Sequence, residues 1–119
     1  MGNARIMLTD LQRIEHMIEN AKLVLSFVTN LSEAEYASSV EKQYAMKFAF
    51  VMLGEDAASL SDEIKLKFHN VPWRDIKGMR NMVVHNYSKT EEEIIWETAT
   101  TDIEPLLQQL LQIKSDLEQ

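Results

Sequence analysis

Thr9-Asp10-Leu11-Gln12-Arg13-Ile14-Glu15-His16-Met17-Ile18-Glu19-Asn20-Ala21-Lys22-Leu23-Val24-Leu25-Ser26-Phe27-Val28-Thr29 is the stretch that decides the fold class. Within it Leu11, Ile14, Ile18, Leu25 and Val28 recur at spacings of three, four and seven residues, which is the stripe of one buried helix face. The spacing predicts a helix starting near Thr9 or Asp10 and running to about Thr29. Ser32 with Glu35 is a capping-box pattern, so the next helical region opens there and extends from about Glu33 to Leu60. Ser38-Ser39 marks a break within that region, and Tyr44, Phe48, Val51, Met52 and Ala58 mark its apolar side. Gly54 inside it costs about 1 kcal/mol relative to Ala, and close approach by a neighbouring helix accounts for it.

Further along, Ser61-Asp62-Glu63 starts a short helix ending near His69-Asn70. Pro72 belongs to the first turn of a fourth helix, expected from Trp73 to about His85, with Asn86 and Tyr87 at its end. Thr90 with Glu93 reads as another capping box, opening a last helical region to about Leu117. Pro105 forbids an unbroken ladder there, so a break or kink falls near Thr101-Asp102. The connections are short, as between antiparallel neighbours of an up-down bundle. No repeat, low-complexity tract or linker divides the 119 residues, which make one all-α domain with four to five main helices.

Composition agrees. Hydrophobic residues are 45% and charged residues 26%, the balance of a globular chain, and the five Gly and Pro residues are too few for an all-β fold. Twelve basic against nineteen acidic residues leave a net charge of −7, a poor balance for a bulk nucleic-acid binder. The absence of cysteine removes disulfides and thiolate catalysis and fits a reducing compartment. No signal-peptide pattern opens the sequence, and the longest apolar run, Phe48 to Leu53, is far short of a membrane span. A cytoplasmic protein without membrane contact is expected.

The chemistry concentrates in Arg80-Asn81-Met82-Val83-Val84-His85-Asn86-Tyr87. On a helix Asn81 and His85 are one turn apart on the same face, and Arg80 lies about 140° from His85, so the two flank Asn81. An always-charged guanidinium beside an imidazole that titrates near neutrality suits phosphate chemistry. Spacing alone leaves a second reading open, in which His85 caps carbonyls at a polar helix end and Arg80 makes a surface ion pair. Glu55 reads either as a solvated carboxylate or as a salt bridge that orients Arg80. His16, His69 and His85 lack the tight spacings of a zinc site, and His16 and His69 read as surface or boundary histidines. Trp73 and Trp96 read as core or interface aromatics. Gly-rich phosphate loops, paired catalytic carboxylates and nucleophile elbows are missing.

The run Pro72-Trp73, Ile76, Gly78-Met79-Arg80-Asn81, Val84-His85 and Tyr87 resembles the signature of HepT-like proteins of the HEPN (higher eukaryote and prokaryote nucleotide-binding) superfamily. The resemblance extends upstream to Leu53-Gly54-Glu55 with Ala57 and downstream to Trp96 and Asp102, covering roughly residues 10 to 110. It implies an all-α domain, usually a homodimer, that acts as the toxin of a toxin–antitoxin pair. It also implies cleavage of RNA without a metal or other cofactor, with a small nucleotidyltransferase as antitoxin. Arg80 and His85 match the catalytic pair, Asn81 the polar residue beside them, and Tyr87 the tyrosine that receives adenylyl groups. Asp56 departs from the usual small residue and is expected to place a second carboxylate near the site. The alternative function is a non-catalytic subunit that binds a nucleotide or docks the nucleotidyltransferase.

Overall fold

Polar side chains that close helix ends set the frame of the bundle. The computed structural model describes residues 8–85 and 89–119; residues 1–7 and 86–88, and so Asn86 and Tyr87, lie outside the described residues. Helix α1 runs Asp10–Asn30, and Thr9 caps it reciprocally: its hydroxyl accepts from the Gln12 N–H while Gln12 Oε1 accepts from the Thr9 N–H. Ser32 and Glu35 form the same box at α2, Glu33–Ala37. The backbone hydrogen bond from Ser32 holds the Glu35 carboxyl below its ordinary value. The chain breaks at Ser38-Ser39, and the Ser39 hydroxyl caps α3, Val40–Ser59. Ser61 caps α4, Asp62–Lys67, and its N–H and hydroxyl both donate to the Asp10 carboxylate, tying this corner to the start of α1.

Helix α5, Trp73–His85, follows directly on Pro72, whose carbonyl accepts the first helical bond from Ile76. Helix α6 spans Lys89–Thr101 and α7 Ile103–Leu117, separated at Asp102 as Pro105 in the first turn of α7 requires. Lys89 already belongs to α6, so Thr90 sits inside the first turn and not at the N-cap that its spacing to Glu93 suggests. All the regular structure among the described residues is helical. No helix there is long and apolar enough to cross a membrane.

Helix α3 is the centre, with α1 on one side and α5 on the other, and α7 packs against α1. Arg13 at the start of α1 meets Asp56 near the end of α3, and along α5 Arg80 meets Gly54 while Val84 lies beside the earlier Tyr44 and Phe48, so α3 runs antiparallel to both neighbours. The core is built from Ile14, Met17, Ala21 and Val24 of α1, Met46, Ala49, Phe50 and Leu53 of α3, and Leu110 and Ile113 of α7. The side of α3 expected to be buried is not the buried one. Tyr44 and Phe48 are about two-thirds exposed, Ala58 is exposed, and Val51 and Met52 are half-buried. A helix wedged between two others is apolar on nearly every side, so its periodicity does not say which side faces the core. At the far end Tyr36 is buried with its ring against Trp96, its hydroxyl donating to Glu92, which also pairs with Lys47. Burial, followed by the Glu92 charge, pushes the Tyr36 hydroxyl well above the ordinary phenol value.

Candidate active site

Gly54 lets α5 lie directly against α3. A Cβ built on Gly54 would stand 2.3 Å from Arg80 Cβ and 2.7 Å from Arg80 Cγ, so only glycine admits the arginine stem at this crossing. The close approach expected of Gly54 is therefore present, and the residue that approaches is Arg80. One position further along α3, Glu55 takes the head of the same side chain. Its Oε1 accepts from Arg80 Nε at 2.8 Å and from Nη2 at 2.5 Å. Arg80 Nη1 donates to Asn81 Oδ1 at 2.9 Å. Three of the five guanidinium N–H groups thus have protein acceptors among the described residues, and one N–H on each terminal nitrogen remains. Of the features expected of Glu55, the structure shows the ion pair with Arg80, made by a carboxylate that is still 44% exposed.

Three other candidate positions complete the account. Asn81 is half-buried beside Arg80, while His85 is the exposed last residue of α5, one turn beyond Asn81. The structure joins Arg80, Asn81 and Glu55 into one hydrogen-bonded unit; no direct hydrogen bond among the described residues brings His85 into it. Tyr87 lies outside the described residues. Val83 is buried, but Val84 is exposed, and the two line a mostly apolar hollow beside the motif with Tyr44, Lys47, Phe48 and Val51 of α3.

Asp56 corrects the expectation of a second carboxylate at this site. It is nearly buried, with 6% of its side chain accessible, and its partners are on α1. His16 Nδ1 lies 2.7 Å from Asp56 Oδ2, and Arg13 Nη1 lies 3.5 Å from Oδ1. Successive helical residues point about 100° apart, which sends Glu55 to α5 and Asp56 to α1. His16 is a boundary histidine, as expected, but one engaged with a carboxylate 40 residues away, and no local spacing in the sequence signals that pair. Among the described residues no three His, Asp or Glu side chains converge in a metal-holding group.

The chain is 28% identical over 100 residues to "Putative RNase TTE0752" of Caldanaerobacter subterraneus, covering 84% of this chain and 89% of that one. It is 26% identical over 87 residues to "Putative RNase MJ1380" of Methanocaldococcus jannaschii, covering 73% and 80% of the two chains. Against "Probable ribonuclease HepT" of Thermococcus cleftensis it is 24% identical over 93 residues, covering 78% and 84%. No solved structure matches significantly. The family described as Ribonuclease HepT-like matches residues 17–113, a span holding the Gly54 crossing, the Glu55–Arg80 pair, Asn81 and His85. With most of its length and its whole candidate site inside that match, the chain belongs to the Ribonuclease HepT-like family.

Proposed function

We propose that this protein is a metal-independent endoribonuclease and the toxin of a toxin–antitoxin pair. The observation that carries the reading is the held guanidinium: Glu55 fixes one edge of Arg80 and leaves N–H groups on both terminal nitrogens to receive phosphate oxygens. His85 takes the proton from an RNA 2′-hydroxyl, and that oxygen attacks the adjacent phosphorus. Arg80 stabilises the charge that builds on the phosphoryl oxygens, and Asn81 positions them. The P–O5′ bond breaks, the 5′-oxygen takes up the proton that His85 returns through solvent, and the other fragment ends in a 2′,3′-cyclic phosphate. DNA lacks the attacking hydroxyl and survives.

The test is incubation of the purified chain with RNA in EDTA. Cleavage that disappears in His85→Ala supports the mechanism; intact RNA, or cleavage that survives the substitution, sinks it. The net charge of −7 favours a second reading, the non-catalytic subunit that binds a nucleotide or docks a nucleotidyltransferase, and intact RNA in this assay is its expected result.

Assembly and control belong to the same proposal. The exposed Val40, Tyr44 and Phe48 of α3, with Val84 of α5, form an apolar surface beside the motif, suited to a two-fold dimer that pairs two sites. Sedimentation at micromolar concentration then gives twice the 13.8 kDa chain mass, and a monomer defeats the paired site. Tyr87 is the handle for the antitoxin, a minimal nucleotidyltransferase that adds AMP to its phenol. A bulky anion two residues from His85 would compete with the RNA phosphate for Arg80. Co-expression with that enzyme adds AMP-sized mass increments; if they persist in Tyr87→Phe, the handle lies elsewhere.

A further inference from the structure

Gly78 has no steric explanation among the described residues. It stands in the interior of α5, where glycine costs about 1 kcal/mol relative to alanine. Yet a Cβ built on it would meet nothing within 4 Å, the opposite of Gly54. Gly78 instead lines an open groove of about 680 Å³ bounded by α3, α5 and the α6–α7 corner. The floor of this groove is apolar, with Phe50, Leu53, Met79, Met82 and Leu106, and its rim carries Arg74, Asp75 and Asp102. Neither Asp75 nor Asp102 has an ion-pair partner among the described residues; the Asp102 carboxylate accepts only a 3.3 Å hydroxyl contact from Thr101.

None of Glu55, Arg80, Asn81 and His85 lines the groove, but its residues Arg74 and Gly78 lead along α5 towards Asn81 and His85. Steps of four, three and four residues place Arg74, Gly78, Asn81 and His85 on one stripe of α5. Eleven residues at the helical rise make this stripe about 16 Å long, the reach of a few nucleotides. The volume is that of a small-ligand pocket.

We propose that the groove is a nucleobase subsite, which takes one base of an RNA strand laid along that stripe towards His85. The proposal rests on the ribonuclease reading and adds a substrate preference to it. A flat ring can lie against the bare backbone at Gly78, over the polarizable sulfurs of Met79 and Met82. Two unpaired carboxylates are wrong for a site that reads phosphates and right for one that reads base N–H donors. Guanine presents two neighbouring donors, its ring N–H and its exocyclic amine, to one carboxylate. Uracil presents a single N–H between two carbonyl oxygens that a carboxylate repels. The subsite therefore prefers guanine to uracil, with Arg74 at the rim to hold the flanking phosphate.

The test uses the His85→Ala chain, titrated with labelled RNA hexamers, one all-uracil and the others carrying guanine at each single position. One register should bind about tenfold more tightly than the all-uracil strand. Asp75→Asn combined with Asp102→Asn should reduce that advantage below about twofold. Gly78→Leu should abolish it with thermal stability retained, because the new side chain enters open space and raises helix propensity. Equal binding of every hexamer overturns the subsite, and so does a guanine advantage that survives Gly78→Leu. If Gly78→Leu keeps that advantage but no longer co-purifies with a co-expressed nucleotidyltransferase, the groove is a protein seat and the subsite is wrong. The two readings fail separately. Guanine preference without cleavage by the unsubstituted chain removes the catalytic reading alone, and cleavage without base preference removes the subsite alone.

Discussion

Glu55 and Asp56 are adjacent on α3 and carry the same charge, but the two faces of the helix put them to opposite uses. Glu55 is 44% exposed and grips Arg80 on α5; Asp56 is 6% exposed and meets His16 and Arg13 on α1. An exposed ion pair contributes little to stability, so what the Glu55–Arg80 pair supplies is geometry. A buried carboxylate must keep its partners or cost the fold its desolvation, so what the Asp56 cluster supplies is cohesion between α1 and α3. One side of α3 carries the candidate site and the other ties the helix to α1.

That division can be broken by experiment. The largest effect is expected at the head of the gripped side chain. Arg80→Ala should lower the rate of RNA cleavage by about a hundredfold or more, and Arg80→Lys should not restore it, because an ammonium lacks the planar fork. A folded Arg80→Ala chain with its rate intact would move the chemistry off α5. Next comes Gly54→Ala, whose methyl carbon cannot occupy the space of Arg80 Cβ. Overpacking of about 1–3 kcal/mol should show in urea denaturation, and the displaced guanidinium should cost up to about a hundredfold in rate.

Two smaller changes sharpen the comparison. His16→Ala leaves the buried Asp56 carboxylate with only its 3.5 Å contact to Arg13, and about 2 kcal/mol of unfolding free energy should be lost. Cleavage by the folded fraction should be unchanged; a fall in rate would place the α1 cluster in the active machinery. Glu55→Gln should do the reverse, shifting stability by under about 0.5 kcal/mol. There kcat should fall by about tenfold with KM little changed, as expected of a residue that positions Arg80 without touching substrate. Equal losses in Glu55→Gln and His16→Ala would erase the distinction between the two faces.

What was legible in the sequence follows the range of the forces involved. The start of α1 at Thr9, the Ser32–Glu35 box, the Ser38-Ser39 break and the corner before Pro105 are local events, written within four residues, and all four are present. The glycine at position 54 signalled its close crossing because its cost needed a cause. The buried side of α3 was not legible, since a helix with neighbours on two faces carries no single apolar stripe. Thr90 misled because a capping box needs its first residue outside the helix, and the chain turns helical at Lys89. The Asp56–His16 contact joins residues far apart in sequence, and only the packing of α1 on α3 creates it.

The crossing at Gly54 has a thermodynamic consequence as well as a steric one. Arginine carries roughly 2 kcal/mol of side-chain conformational entropy when free. In this bundle much of that freedom is already lost, with the Arg80 stem lodged against the Gly54 backbone and its head shared by Glu55 and Asn81. Immobilising such a side chain on binding costs about 0.5–1.5 kcal/mol, up to roughly tenfold in affinity, and here the ordering belongs to folding. An anion arriving at Arg80 meets a receptor that is already ordered.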